Sequence, residues 1–277
     1  MNPLFPIGAA FSAYLAFYET KKSSSLLKKT RVIIPIENKR LGTIEQKVDF
    51  NKLLLELPKT EKQFYSEIAQ KANASKIKSI IQTNFAHLKQ AENLTRVPAY
   101  ILAPIIFAES GGNPKAVSSA NAYGLMQFKA QSANDIIILE NNKQRLSDAE
   151  KAIIRKYIGN RLDNILRMKY LSHKAPGNNE QINFITQEDL FNPEFAILIG
   201  AMKMGLLIDE HIERGNKLIL EKSMLRYGRG YFYKPKGDNF EQVLESVKNN
   251  KENYNALLKY FGINGLFQTA LNVVKTL

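Results

Sequence analysis

The chain has 277 residues, 44% hydrophobic and 23% charged, a composition that excludes wholesale disorder and collagen-like repeats and fits one or two domains. It contains no Cys and no Trp, so disulfide scaffolds, thiolate chemistry and cysteine-based zinc sites fall away, and 12 Tyr and 15 Phe are left for stacking on sugars. A formal charge of +13 favours polyanionic partners such as nucleic acid, anionic lipid or the acidic bacterial cell wall, but the basic residues are scattered and accompany no recognisable nucleic-acid module, so specific nucleic-acid binding is not expected.

Residues 1–20 form an apolar N-terminal segment. Met1 to Tyr18 carry no charged side chain, and Lys21, Lys22, Lys28, Lys29 and Arg31 follow. A secretory signal places its positive charge before the apolar run, so the order here is reversed. The run is marginal for a bilayer span, and Pro3, Pro6 and Gly8 weaken a helix start. Three readings stay open: a helix packed on the protein or a partner, a membrane anchor, and a cleaved signal. Residues 21–59 read as a linker with local structure, including the β-like run Val32-Ile33-Ile34-Pro35-Ile36 and the cluster Leu53-Leu54-Leu55.

Residues 60–277 read as a mostly α domain. From about Thr60 the apolar period becomes helical, with Phe64, Ile68 and Ala72 and then Ile77, Ile80, Ile81, Phe85 and Leu88 on one stripe. Pro98 stands where a helix tolerates proline, in the first turn. The run Ala99 to Ala108 is apolar nearly all round, as in a buried helix, and Pro104 is placed to kink it. Further helices are expected at about 147–170, 192–213, 217–227, 238–248 and 251–260, with Gly159, Gly177, Gly215 and Gly262 as stops. His87, His173 and His211 lack metal-ligand spacing.

The buried helix ends in Glu109-Ser110-Gly111-Gly112-Asn113-Pro114. A carboxylate at such a place is expensive unless paired or protonated. A carboxyl taken out of water holds its proton longer, which a general acid working near neutral pH requires. The plain alternative is a Glu that emerges into solvent or pairs with a cation at the helix end.

The next stretch adds Ala116-Val117-Ser118 and Gly124-Leu125-Met126-Gln127. Together these resemble the lytic transglycosylases of the soluble (SLT) type, whose motifs are an apolar helix ending Glu-Ser, then Asn-Pro and Ala-x-Ser, then Gly-Leu-Met-Gln. Asn121 departs from the glycine common before that last motif. Asn192-Pro193 with Gly200 resembles the start of the family helix behind the cleft. Leu225-Arg226-Tyr227-Gly228-Arg229-Gly230 resembles its Ala-Tyr-Asn-x-Gly motif with Gly228 in place of Asn. The likeness covers about residues 75–235.

The resemblance implies a lysozyme-like helical catalytic domain that needs no cofactor and no metal. In the mechanism it implies, Glu109 protonates the bond between N-acetylmuramic acid and N-acetylglucosamine, and then takes a proton from the C6 hydroxyl. The sugar closes to a 1,6-anhydro end without water. Ser110, Tyr123, Met126, Gln127 and Tyr227 are the implied substrate contacts, with Tyr123 and Tyr227 as flat surfaces for sugar and Gln127 suited to an acetamido or peptide group. Met126 reads equally as cleft wall or core.

Peptidoglycan is the expected partner, and the bacterial envelope or a phage virion the expected location. A membrane, virion or secretion assembly would be reached through residues 1–20, for local penetration of the wall. Two other readings remain: a hydrolytic muramidase, which needs a water-activating carboxylate such as Asp135 or Glu140, and a structural component that only binds glycan.

Overall fold

The computed structural model describes residues 67–169, 184–213, 219–229, 236–237, 240–247, 249–250 and 264–277. Residues 1–66, with the N-terminal segment and linker, lie outside them, as do His173 and the helix expected at 251–260. Asn38–Leu277 forms one compact unit, and every described residue belongs to it. Among the described residues all regular elements are helices, as the sequence leads one to expect, and none is long and apolar enough to cross a membrane.

Helix α1 (Glu67–Thr95) buries the stripe Ile77, Ile80, Ile81 and Leu88, with Phe85 packed at its edge. It bends at Asn84, whose backbone leaves helical geometry and whose amide donates to Ile80 O at 2.9 Å. At its end Thr95 Oγ1 donates to Ala91 O and accepts from Val97 N, and Arg96 turns into the left-handed region at φ 63°.

Helix α2 (Ala99–Ser110) follows at once. Pro98 occupies its N-cap rather than its first turn and offers no side-chain cap. Glu92 of α1 fills that role, accepting from Ala99 N at 3.0 Å. The helix runs through Pro104 with Ala99 and Ile101 to Ile106 buried. Each buried Ile or Leu side chain stabilises the fold by roughly 1.5–3 kcal/mol relative to exposure.

Helices α3 (Ala130–Asn142) and α4 (Asp148–Ile158) each pack on α5 (Arg161–Arg167). The sequence suggests one helix over 147–170. The structure divides it at Gly159, whose φ of 57° and ψ of −139° no helix continues. A reciprocal Ser147–Glu150 cap starts α4. A Thr186–Asp189 cap starts the single turn α6 (Gln187–Leu190), and Arg161 pairs with the same Asp189 at 2.9 Å.

Helix α7 (Pro193–Glu213) is the centre of the fold, touching α1, α2, α3, α4, α6 and α8. It is buried nearly all round, with Phe195 to Ile199, Met202, Met204 and Leu206 to Ile208 in the core. Helices α8 (Ile219–Arg229) and α9 (Phe240–Val247) fall near their expected places. Helix α10 (Asn264–Thr276) is an addition to the expectation, as is α3. It buries Leu266, Phe267, Ala270 and Leu271 and packs on α1 and α2.

Candidate active site

Glu109 is the penultimate residue of α2, where the helix leaves the core. Ile101 to Ile106 are buried, and Phe107 to Ser110 are only partly buried. The helix is closed by Gly111 at φ 60°, whose N–H reaches Phe107 O at 2.9 Å. Ser110 Oγ donates to Ile106 O and accepts from Gly112 N, each at 3.2 Å. The hydroxyl therefore fixes the turn that carries Glu109 and keeps one acceptor lone pair for other use.

The loop between α2 and α3 is held by the very residues that make up its motifs. Asn113 Oδ1 accepts from Lys115 N at 2.9 Å, and Ser118 Oγ accepts from Ala120 N and Ala122 N. Isolated bridges pair Val117 with Tyr123 and Tyr123 with Phe128. Gln127 adopts φ 48°, and its amide Nε2 donates to Ala116 O at 3.1 Å and Gly124 O at 3.0 Å. The donor side of Gln127 is thus spent on the loop. Gly124 has φ 75°, and a β-carbon there would run into the backbone carbonyl of Leu190. Leu125, Met126 and Phe128 anchor the turn in the core.

Tyr123 stays partly exposed, edge-on to Phe191 with ring centres 5.9 Å apart, and Lys115 lies over the Phe191 ring. Met126 is 1% exposed and reads as core rather than cleft wall. Tyr227 also departs from the expectation of an open sugar platform. It is 3% exposed, its ring edge-on to Phe128, and its hydroxyl points to Met126 O at 3.4 Å. Gly200 of α7 makes this possible, because a β-carbon there would meet both Met126 and the Tyr227 hydroxyl.

The structure brings Tyr227 into electrostatic contact with Glu109. Burial, and then the negative charge of Glu109, push the Tyr227 phenol well above its ordinary range, so it stays protonated. A second group enters here that the motifs do not contain. Lys203 Nζ donates to Tyr227 O at 2.7 Å and sits 4.4 Å from the Tyr227 ring centre and 5.1 Å from that of Phe128. Burial lowers its ammonium to about 8, and the charge of Glu109 works in the other direction. Its signal in the sequence is a single charge within the otherwise uncharged run Phe195 to Ile208.

Of the two carboxyls considered as a hydrolytic base, Glu140 is removed from that role. It is 0% exposed and pairs with Arg145 at 3.1 Å, and Arg145 also pairs with Asp209 of α7. Asp135 is partly buried on α3, and burial pushes its carboxyl up to about 6. His87 lies partly buried on α1 and His211 is buried on α7.

Comparison with known proteins bears on this geometry. The family model described as "Transglycosylase SLT domain" matches residues 86–166, from the second half of α1 to the end of α5. The chain is also similar to "Membrane-bound lytic murein transglycosylase E" of Buchnera aphidicola subsp. Acyrthosiphon pisum (strain APS), 30% identical over 131 residues. That match takes in 45% of this chain and 55% of the relative, so the chain spans about half the length of the curated relative it matches. Lys203 and Tyr227 lie beyond the residues the family model matches, whereas Glu109 and the Gly124–Gln127 turn lie within them. Over residues 86–166 the chain is similar to the transglycosylase SLT domain family.

Proposed function

We propose that this protein is a peptidoglycan lytic transglycosylase with Glu109 as its catalytic acid and base. The observation that carries the reading is the convergence on Glu109. The carboxylate leaves the core at the end of an SLT-matched helix, and its charge bears on a buried phenol and an ammonium from two other helices. A partly buried carboxyl in such company can give a proton and take one back in successive steps.

Glu109 protonates the glycosidic oxygen between N-acetylmuramic acid and N-acetylglucosamine, and that C–O bond breaks. The acetamido group of the muramic sugar stabilises the cationic centre. The Glu109 carboxylate then removes the C6 hydroxyl proton as the C6 oxygen bonds to C1. The product ends in 1,6-anhydro-N-acetylmuramic acid, and water takes no part. Ser110 fixes the turn that bears the carboxyl and contacts substrate with its remaining lone pair. Tyr123 offers a partly open ring beside the loop, and the Gln127 carbonyl oxygen is the part of that side chain suited to a sugar amide. Met126 and Tyr227 act from behind, holding the turn against α7.

The +13 charge supports attraction to an acidic wall, and the place of action is the bacterial cell envelope. The uncharged run Met1–Tyr18, with lysines after it, supports a tether to a membrane or to a larger assembly such as a virion, from which the wall is opened locally. The test is zymography on purified murein with the wild type beside Glu109→Gln. The substitution keeps shape and removes the titrating group, so clearing is lost by more than about 100-fold while the fold is kept. Equal clearing by the two proteins would refute the assignment.

A further inference from the structure

Beside the Gly124–Gln127 turn a cation, two rings and an exposed aliphatic side chain come together on the loop between α2 and α3. Lys115 Nζ lies 4.7 Å from the ring centre of Phe191, and Tyr123 meets the same ring edge-on at 5.9 Å. Val117 is bridged to Tyr123, and opposed residues of an antiparallel pair send their side chains to one face. Val117 is 57% exposed, and among the described residues the other large exposed apolar side chain is Leu277. The cluster is built rather than incidental. Gly124 lacks the β-carbon that would strike the Leu190 carbonyl, so the turn presses against the backbone that carries Phe191. Lys115 N donates to Asn113 Oδ1, and Asn113 N donates to Ser110 O at 3.1 Å, which ties this part of the loop to the turn that bears Glu109.

The charge of Lys115 is held differently from its counterparts on α4. There Lys151 pairs with Asp148, Arg155 with Asp163 and Lys156 with Glu194. Among the described residues Lys115 pairs with no carboxylate, and its ammonium rests on a ring instead. A ring attracts a cation without neutralising it, so the ammonium keeps donors for an incoming anion.

We infer that Lys115, Val117, Tyr123 and Phe191 form a subsite for the peptide stem of murein, in which Lys115 binds a stem carboxylate and Val117 and the ring edges take an alanyl methyl. The inference rests on the transglycosylase reading and names the part of the substrate, beyond the sugars, that the site selects. In murein the lactyl group is joined to the stem, so the carboxylates of a strand lie on the stems, close to alanine methyls. Charge and apolar surface stand side by side in the ligand as they do in the cluster.

The test compares soluble murein strands that keep their stems with strands stripped by an amidase, which bear the lactyl carboxylate instead. The wild type favours the stem-bearing strands in kcat/KM. In Lys115→Gln that preference falls by about fivefold, through KM. Lys115→Arg keeps the charge and the stacking on Phe191, and keeps the preference. Circular dichroism and thermal melts confirm that both variants are folded. An unchanged preference in Lys115→Gln, an equal loss in Lys115→Arg, or an equal slowing of Lys115→Gln on both kinds of strand overturns the subsite.

A second readout needs no activity. In nitrogen-15 spectra of full-length Glu109→Gln, N-acetylmuramyl-L-alanyl-D-glutamate shifts the amides of Lys115, Val117 and Tyr123. The same compound with its carboxyls amidated binds about fivefold more weakly. Equal binding of the two compounds, or shifts confined to other residues, overturns the subsite while the enzyme reading stands. Absence of clearing by the wild type, with this selectivity intact, overturns the enzyme reading and leaves the subsite, so the two failures are distinguished.

Discussion

Gly200 and Met126 meet where α7 has room for a hydrogen and nothing larger. A β-carbon on Gly200 would overlap the Met126 side chain and come within 3.1 Å of the Tyr227 hydroxyl. The helix behind the site thus sets how deeply the Gly124–Gln127 turn seats. Gly200→Ala gains roughly 1 kcal/mol of helix propensity and loses about 1–3 kcal/mol to overpacking. Because Met126 can shift its flexible end, the net loss is small, on the order of 1 kcal/mol. Gly124→Ala meets the rigid Leu190 carbonyl and a φ of 75°, so it costs more, about 3 kcal/mol. Urea denaturation of the two variants checks this order.

Arg145 is shared by Glu140 and Asp209, all three nearly inaccessible to solvent. Arg145→Met leaves two buried carboxylates without their common cation. Breaking such a set by removing one member costs about 3–5 kcal/mol, read as a lower midpoint in chemical denaturation. A loss below about 1 kcal/mol would contradict the structural role given to Glu140.

Asp135 makes stability depend on pH. Burial raises its carboxyl to about 6, above the value in the unfolded chain. The folded state therefore binds the proton more tightly. As pH rises from about 4 to about 6 the unfolded state gains relative stability, and the penalty is complete above that window. Asp135→Asn removes it, so the variant is more stable than the wild type by about 1–3 kcal/mol near pH 7.5 and equal to it near pH 4. The same difference at both pH values would contradict this.

Much of the architecture was legible because burial imposes a period. The stripe from Ile77 to Leu88, the apolar helix before Glu109 and the helix beginning at Pro193 stand within a residue or two of their expected places. Helix α10 is marked too, as Leu266, Phe267, Ala270 and Leu271 recur at helical spacing, but Gly262 and Gly265 obscure its start in the sequence. What the sequence does not carry is direction. Tyr227 suits a sugar by type, yet the space left by Gly200, a contact across the fold, draws its hydroxyl inward to Met126 O. Gln127 has the right chemistry for an acetamide, yet a local φ of 48° turns its donor onto Ala116 and Gly124. Lys203 belongs to no motif, and the Tyr227 and Phe128 rings beside it come from other elements of the fold.

The account stands on Glu109 closing the sugar on itself. The direct measurement is the mass spectrum of soluble muropeptides released from purified murein by the wild-type protein, with Glu109→Gln as control. The prediction is a series whose muramic ends lack one water, the 1,6-anhydro form, and no release by the variant. Products bearing reducing ends one water heavier, or the same release from the variant, would contradict it.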